Sequence, residues 1–463
     1  MENTISLSLN NIKVLQECDV LVLGAGMSGF AAALGAARAG VHVVLADKNH
    51  FPGGVGTSGL MCSISNYFVT RDNAQVTSGI AKEFLDRLVS EGAAMPDYMR
   101  ASQPQIPNDP ELTKRVMVKM LRESHVQTLY ESMLVDVIMV DSKVTHCVFQ
   151  GRDQTFAIKA KKYVDASGDL SIWRRANGEY EERDDGASFL YRMANVNIDK
   201  IIDWLEANPE SYDKSSDIPT SLEETIENWR KYGVFHLPHG GGTKIKVVKN
   251  ALGNGAYNDT FGKHYENLKC FGLFSARINK GAVVINSNWY FGDCYDIIQE
   301  SEREEEGRLL IEAQSKFLID YFPGFEHSYL LESAAEIGHR VSRKPKCKLY
   351  MDENDFYDGK YFNDTLGMCS EVDRREKPYG KLRKGGHVPL SMLVHDHVLD
   401  VIVGSGKNTS ATKWGMIRGQ VGCLVMGQGA GVVAAVAATT NVCMSKVNIS
   451  TVQKILKKQN VML

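Results

Sequence analysis

Short apolar runs and glycine turns alternate at the start of this chain. Asp19-Val-Leu-Val-Leu23 is apolar up to a glycine, the pattern of a buried parallel strand. Gly24-Ala-Gly-Met-Ser-Gly29 follows, and an Ala-rich stretch to about Ala39 predicts a helix, with Gly40 as its stop. Val41 to Ala46 predicts the next strand, closed by Asp47. Phe51-Pro-Gly-Gly54 then turns into a Gly/Ser/Thr-rich loop ending at Gly59. Helical periodicity recurs over Ile80–Glu91 and Leu112–His125, and strand alternation over Thr128–Val148 with a turn at Asp141-Ser-Lys143. Phe156 to Val164 leads into Asp165-Ala-Ser-Gly-Asp169, a second strand end with a glycine turn.

The pattern changes between about Gly178 and Ile337, where charges and aromatics rise and strand–glycine–helix units vanish. Thr220-Ser-Leu-Glu223 reads as a capping box opening a helix that stops at Gly233. Asp296 to Phe322 predicts a long acidic helix, stopped by Pro323-Gly324. Val388–Ile402 is again strand-like, and Gly404 opens a last glycine-rich segment. These patterns predict an α/β fold. A Rossmann-like domain, a parallel sheet flanked by helices, is built from 1–178 and 338–463, and 179–337 forms an inserted α+β substrate domain.

Two uncharged stretches, Val20–Ala37 and Gly419–Ser445, are long enough to cross a bilayer. Their internal glycines, and the switch from β-branched to Ala-rich sequence in the first, favour buried strand–turn–helix units, so no membrane span is expected. Hydrophobic residues at 43% and charged residues at 24% exclude wholesale disorder. Lys plus Arg number 53 against 56 Asp plus Glu, which gives no electrostatic footprint for nucleic acid. Nine cysteines, an odd number without CxxC or zinc spacing, read as reduced thiols. With no signal-peptide pattern at the N-terminus, a cytoplasmic location is expected.

Gly24-x-Gly26-x-x-Gly29 gains specificity from its context. The first glycine permits the tight turn, the second lets backbone approach a pyrophosphate, and the third lets helix and strand pack closely. The helix N-terminus then faces the phosphates. Asp47, at the end of the next strand, is placed to accept ribose hydroxyls. Gly53-Gly54 with Thr57-Ser58-Gly59 departs from a plain nicotinamide-binding domain, and Asp165–Asp169 and Gly427-Gln-Gly-Ala-Gly431 add two distant glycine turns. A large cofactor touched by all these segments suits FAD.

On the stretches DVLVLGAGMSGFAAALGAARAG, VVLADKNHFPGG, YVDASGDLSIWRRANG, PGFEHSYLLESAAEIGHRVSR and IRGQVGCLVMGQGAGVVAAVAA, the chain resembles FAD-dependent oxidoreductases related to fumarate reductase flavoproteins and 3-ketosteroid dehydrogenases. The resemblance implies a glutathione-reductase-like FAD-binding fold and hydride transfer between a small organic substrate and flavin N5. It assigns the pyrophosphate to Gly24, Ala25, Gly26, Met27, Ser28 and Gly29, and the ribose to Asp47 with Lys48 beside it. Gly53, Gly54, Thr57, Ser58 and Gly59 would line the phosphates and flavin edge. Leu134 would meet adenine, and Ala166, Gly168 and Asp169 the ribityl chain. Gly427, Gln428 and Gly431 would open the last helix toward the flavin. Lys407 stands where the family often has arginine. Neither an iron–sulfur cysteine cluster nor a flavin-attachment context is visible, so the FAD is expected to be non-covalent.

Substrate chemistry has several candidates. Arg340 and Arg343 lie where the inserted domain rejoins the cofactor domain, as a carboxylate clamp or an ion-paired joint. His236 and His239 share a loop of the inserted domain, and His387 is a possible acid–base group. Cys62 is either redox-active or packing. No metal is expected. The partners implied are a small-molecule substrate and an electron donor or acceptor, and self-association is compatible with the sequence. A flavin monooxygenase using NAD(P)H and O2, or a non-catalytic FAD-bound scaffold or sensor, stands as the alternative function.

Overall fold

The computed structural model describes residues 11–212, 220–237, 250–251, 254–255, 268–288, 290–375 and 379–463. A seven-stranded sheet forms the first layer. Its strands are β1 (Lys13–Leu23), β2 (Val43–Ala46), β5 (Gln127–Leu129), β6 (Met133–Val140), β7 (Lys143–Gln150), β8 (Thr155–Asp165) and β23 (Val401–Val403). They run in the order β5-β2-β1-β8-β7-β6, with β23 also on β8. The β5, β2, β1, β8 and β23 pairings are parallel, and β6 and β7 add an antiparallel meander. A small hairpin, β3 (Ser63–Ser65) with β4 (Gln105–Pro107), lies off this sheet.

The parallel strands are buried on both faces, which is why they read as unbroken apolar runs. All four residues of β2 are buried. Helix α1 (Met27–Ala37) is buried from Met27 to Ala36, so it has no polar face. It is covered by the long helix α9 (Gln420–Thr440), buried from Val421 to Ala438. That helix is apolar and long enough to cross a bilayer, but its apolar window is wholly buried inside the protein. Helices α2 (Ile80–Ser90), α3 (Pro110–Glu123) and α10 (Ile449–Lys458) are amphipathic, and α4 (Ser171–Arg175) is a short turn after β8.

The second unit begins with β9 (Tyr180–Glu182), β10 (Asp185–Ser188), β11 (Tyr191–Ala194), α5 (Ile198–Ala207), α6 (Leu222–Tyr232) and β12 (Val234–Leu237). It continues with β13 (Leu268–Ala276), β14 (Val283–Asn288), β15 (Tyr290–Gly292), α7 (Ile297–Tyr321), β16 (Tyr329–Ser333), β17 (Gly338–His339) and β18 (Arg343–Pro345). An antiparallel sheet in the order β12-β13-β14-β11-β16 forms its centre. Its core draws buried residues from Ala187 to Ile337, and Leu60 and Cys62 of the glycine loop reach into it. The capping box of α6 lies one residue on from its expected place: Ser221 caps, and Glu224 returns the bond. The C-terminal part adds α8 (Glu353–Tyr357), β19 (Thr365–Cys369), β20 (Val372–Asp373), β21 (Gly380–Lys381) and β22 (Gly386–Pro389). The run expected as one strand over Val388–Ile402 is therefore β22, a turn, and β23, because Pro389 and the following 3-10 turn interrupt it.

Candidate functional site

Three glycine turns meet at the carboxyl ends of β2, β1 and β8, where open α/β sheets take their ligands. Gly24 has φ +95°, and its N–H donates to Ala46 O at 2.7 Å. A Cβ on Gly24 would lie 2.6 Å from Ala166 O, so the first turn rests directly on the third. Gly29 packs so closely on Gly24 O that no side chain fits there. Gly26 differs from both, since nothing lies within 4 Å of its Cβ position. Gly26 is also the N-cap of α1; no side chain caps that helix and its first turn holds no acid. The first N–H groups of α1 are thus left to an anion beside open space.

The second turn folds back onto the first. Gly53 N–H donates to Ala25 O at 2.8 Å, and Gly53 and Gly54 both have positive φ. A Cβ on Gly54 would sit 3.0 Å from Gly26 Cα, so only glycine keeps the two turns in contact. Thr57 Oγ1 donates to Pro52 O at 2.9 Å, and Ser58 Oγ lies 2.8 Å from Gly54 O. Gly59 ends the loop against Val55.

Asp47 accepts from Ala25 N–H through one carboxylate oxygen and from Asn49 N–H, at 2.7 Å, through the other. Burial pushes its carboxyl above the usual range, against the pull of those two N–H groups. Each oxygen keeps a second acceptor position, which suits a ribose diol. Lys48 pairs with Glu336 at 3.3 Å. Glu336 also accepts from Ser58 Oγ at 2.7 Å. Burial works against its ionisation, but Lys48, Ser58 and Asn49 outweigh that and hold it below the usual carboxylate range. The sequence carried no local signal for Glu336, which arrives from the segment rejoining the two units.

In the third turn, Gly168 has φ +83° and faces the Lys407 side chain. Asp165 organises this turn, accepting from Ser167 Oγ at 2.6 Å and from the N–H groups of Ile172 and Trp173. Ala166 N–H donates to Leu23 O, and Asp169 O accepts from Arg343 at 3.1 Å. Leu134 is half-buried on β6. The entry to that strand is fixed by Ser132 N–H on Asp47 O at 2.9 Å. Ser28 Oγ accepts from Gly406 N–H at 3.3 Å, tying α1 to the segment after β23.

Other expected positions are corrected. Gly427, Gln428 and Gly431 do not open a helix: α9 begins at Gln420, and they lie well inside it. Their glycines serve helix crossing: a Cβ on Gly427 would collide with Ser28 O, and one on Gly431 with Ala32 O. Gln428 is a buried strut, accepting from Ile80 N–H and donating to Gln459 Oε1, both at 2.9 Å. His236 is not on a loop. It lies in β12 opposite Phe274, and its ring stacks on that phenyl at 5.2 Å. His239 lies outside the described residues. His387 is buried on β22, hydrogen-bonded to Thr365 Oγ1 at 3.1 Å and edge-on to Tyr361, which ties it to the β19–β22 hairpin. Burial lowers its pKa.

Arg343 donates to Glu182 at 2.6 Å and lies 3.4 Å over the Tyr295 ring. Arg340 donates to Gly186 O at 3.1 Å and Ser188 Oγ at 2.7 Å. Arg340 thus holds the inserted unit, and Arg343 bridges Glu182 of that unit to Asp169 O of the cofactor unit. Cys62 is fully buried, and burial pushes its thiol up to about 12, so it is a packing residue rather than a redox nucleophile. Among the described residues, no group of three or more His, Cys, Asp and Glu is placed to hold a metal ion.

Three glycine turns at adjacent parallel strand ends, an uncapped helix N-terminus and a carboxylate beside them define a dinucleotide-binding α/β protein. The chain belongs to the FAD-dependent oxidoreductase family, whose model matches residues 19–456. It is an FAD-dependent oxidoreductase enzyme. The chain is also 60% identical over 37 residues to the sarcosine oxidase alpha subunit of Rhizobium meliloti strain 1021, a match covering 8% of this chain and 4% of that protein. Among solved structures it is similar to a geranylgeranyl bacteriochlorophyll reductase-like protein of Thermoplasma acidophilum. That likeness has 13% identity and a TM-score of 0.46, covering 96% of this chain and 84% of the other. It is also similar to the myxobacterial chondrochloren halogenase CndH, with 10% identity and a TM-score of 0.46, covering 96% and 79%.

The open space at Gly26 and the free acceptor positions on Asp47 fit FAD. Asp47→Ala should weaken FAD binding about tenfold to a hundredfold, the loss of a charge-assisted hydrogen bond of roughly 1.5–3 kcal/mol. It should also lower the stability of the apoprotein, because the buried Ala25 N–H loses its acceptor. Titration of apoprotein with FAD, read by fluorescence, checks the first effect, and thermal unfolding checks the second.

Proposed function

We propose that this enzyme exchanges a hydride between a carbon of a small organic substrate and its FAD, held non-covalently at the three glycine turns. The observation that carries the reading is Gly26, whose Cα borders open space at an uncapped helix start while its neighbouring glycines are tightly packed. Bound FAD supplies two-electron chemistry at its ring system. Backbone N–H groups from Gly26 to Gly29 hold the pyrophosphate, and Asp47 orients the ribose. Gly53, Gly54, Thr57 and Ser58 line the phosphates, with Glu336 and Lys48 closing the cleft beside them. Gly168, Asp169 and Lys407 border the ribityl chain, and Leu134 the adenine.

The inserted unit, 179–337, covers the substrate side, with Arg340 and Arg343 fixing its angle. Kinship with fumarate reductase and 3-ketosteroid dehydrogenase flavoproteins is part of this reading and rests on the sequence stretches shared with them. The free cysteines fit a reducing, cytoplasmic setting. Anaerobic mixing of the yellow holoenzyme with a panel of hydroxy acids, amines and saturated acids should bleach the flavin with one class. A dye acceptor should then sustain turnover. NADPH oxidation that requires O2 would instead indicate a monooxygenase, and absence of turnover with every donor and acceptor would indicate a scaffold.

A further inference from the structure

Two cations stand together where the units meet, away from the glycine turns. Arg100 comes from the segment between α2 and β4, and its guanidinium lies 3.3 Å over the Tyr232 ring of α6. It donates to Asn228 Oδ1 at 3.1 Å and Gln103 Oε1 at 2.6 Å. Lys381, on β21, places its ammonium 3.3 Å from Arg100 O and 3.4 Å from Gln103 O. Every partner of the two is a neutral amide, carbonyl or ring. Arg100 Nε also donates to the Asp97 backbone carbonyl at 2.7 Å, whereas the carboxylates of Asp97 and Glu227 act on it only through longer-range attraction.

This arrangement is costly for an empty protein. Two like charges at a domain seam, half out of water and with no carboxylate at contact distance among the described residues, are stabilised only weakly by carbonyl dipoles. Burial, and then the Arg100 charge, push the Lys381 ammonium down to about 7. An arriving anion would relieve both effects. Beyond the bonds named, the guanidinium keeps two of its five N–H groups and the ammonium one of its three, which suit a carboxylate.

The pair is also connected to the cofactor side. Lys381 precedes Leu382, whose N–H donates to Glu371 O at 3.0 Å. Glu371 neighbours the Tyr67 phenol, and the Tyr67 ring packs against Gly419, the N-cap of α9.

We propose that Arg100 and Lys381 form an anion subsite at this seam, and that the substrate carries a carboxylate that docks there. The substrate half of this inference rests on the oxidoreductase reading above. The other charged or titratable groups around the pair are Arg71, whose Nε donates to Lys381 O, Asp97, Glu227, Lys231 and Tyr232 on the facing segments, and Asp373 on β20. Among the described residues, no histidine stands with them. Loss of the pH dependence in Lys381→Met therefore assigns it to Lys381.

Calorimetric titration of the holoenzyme with acetate, succinate and inorganic phosphate tests the proposal. A saturable carboxylate site is expected at pH 6. Its affinity should fall by up to about tenfold at pH 8, as Lys381 loses its proton. Lys381→Met should weaken binding at pH 6 and flatten the pH dependence. Arg100→Lys, which keeps the charge and loses the fork, should weaken binding at both pH values.

Absence of saturable binding by both carboxylates would overturn the subsite, as would a pH dependence that survives in Lys381→Met. Tighter binding of phosphate than of either carboxylate would overturn the substrate class. If Lys381→Met does not fold, the wild-type profile decides alone, and a flat profile between pH 6 and 8 overturns the role of Lys381. The visible spectrum of the same samples separates the two readings: colourless protein counts against the flavin reading, whereas the anion site is measured whether or not flavin is present.

Discussion

Gly26→Val should fold and come off the column colourless. No protein atom lies within 4 Å of the position its Cβ would take, so the substitution meets no clash within the chain. The branched side chain instead fills the space through which a pyrophosphate must approach the N-terminus of α1. FAD content should drop at least about tenfold, which corresponds to 1.4 kcal/mol or more of lost binding. Thermal unfolding should match that of wild-type apoprotein within a few degrees. Absorbance per mole of protein and circular dichroism measured together decide the matter. A folded variant with stoichiometric FAD would move the cofactor to another part of the cleft.

Gly427→Val should fail in the opposite way. Here the added side chain meets Ser28 O, a backbone atom of the packed helix α1, and cannot rotate out of its path. The crossing of α1 and α9 would have to open along both helices, because a Cβ on Gly431 would lie 2.0 Å from Ala32 O and one on Gly35 2.8 Å from Gln428 O. Overpacking in a core costs roughly 1–3 kcal/mol where side chains can shift. Against backbone the loss should be at the top of that range or above, about 3 kcal/mol or more. Soluble yield and unfolding temperature should fall together, with Gly427→Ala intermediate. A well-folded Gly427→Val protein lacking FAD would instead return this glycine to the cofactor.

The contrast between these glycines shows what the chain disclosed before its fold was known. The unit from β1 to Asp47 was legible because each of its signals is local: an apolar run, a spaced glycine triplet, an Ala-rich helix and a terminal acid. The glycines of α9 were misread because helix crossing and helix capping both select glycine, and only the partner helix distinguishes them. Glu336 was invisible because Ser58, Asn49 and Lys48 are remote from it in the chain. Read from sequence, His236 falls on a loop shared with His239, whereas the pairing of β12 with β13 extends through Leu237. The groups that Arg340 and Arg343 hold onto, Gly186, Ser188 and Glu182, are remote in the chain and cannot be read from their spacing.

Leu60 and Cys62 belong by sequence to the cofactor loop and by packing to the core of the inserted unit. The inserted unit is therefore not a separable module. Cutting it out would leave two apolar side chains uncovered on the loop that borders the cofactor, and expressing it alone would leave a gap in its core. Grafting it onto a related flavoprotein would require carrying the Leu60–Cys62 segment along with it.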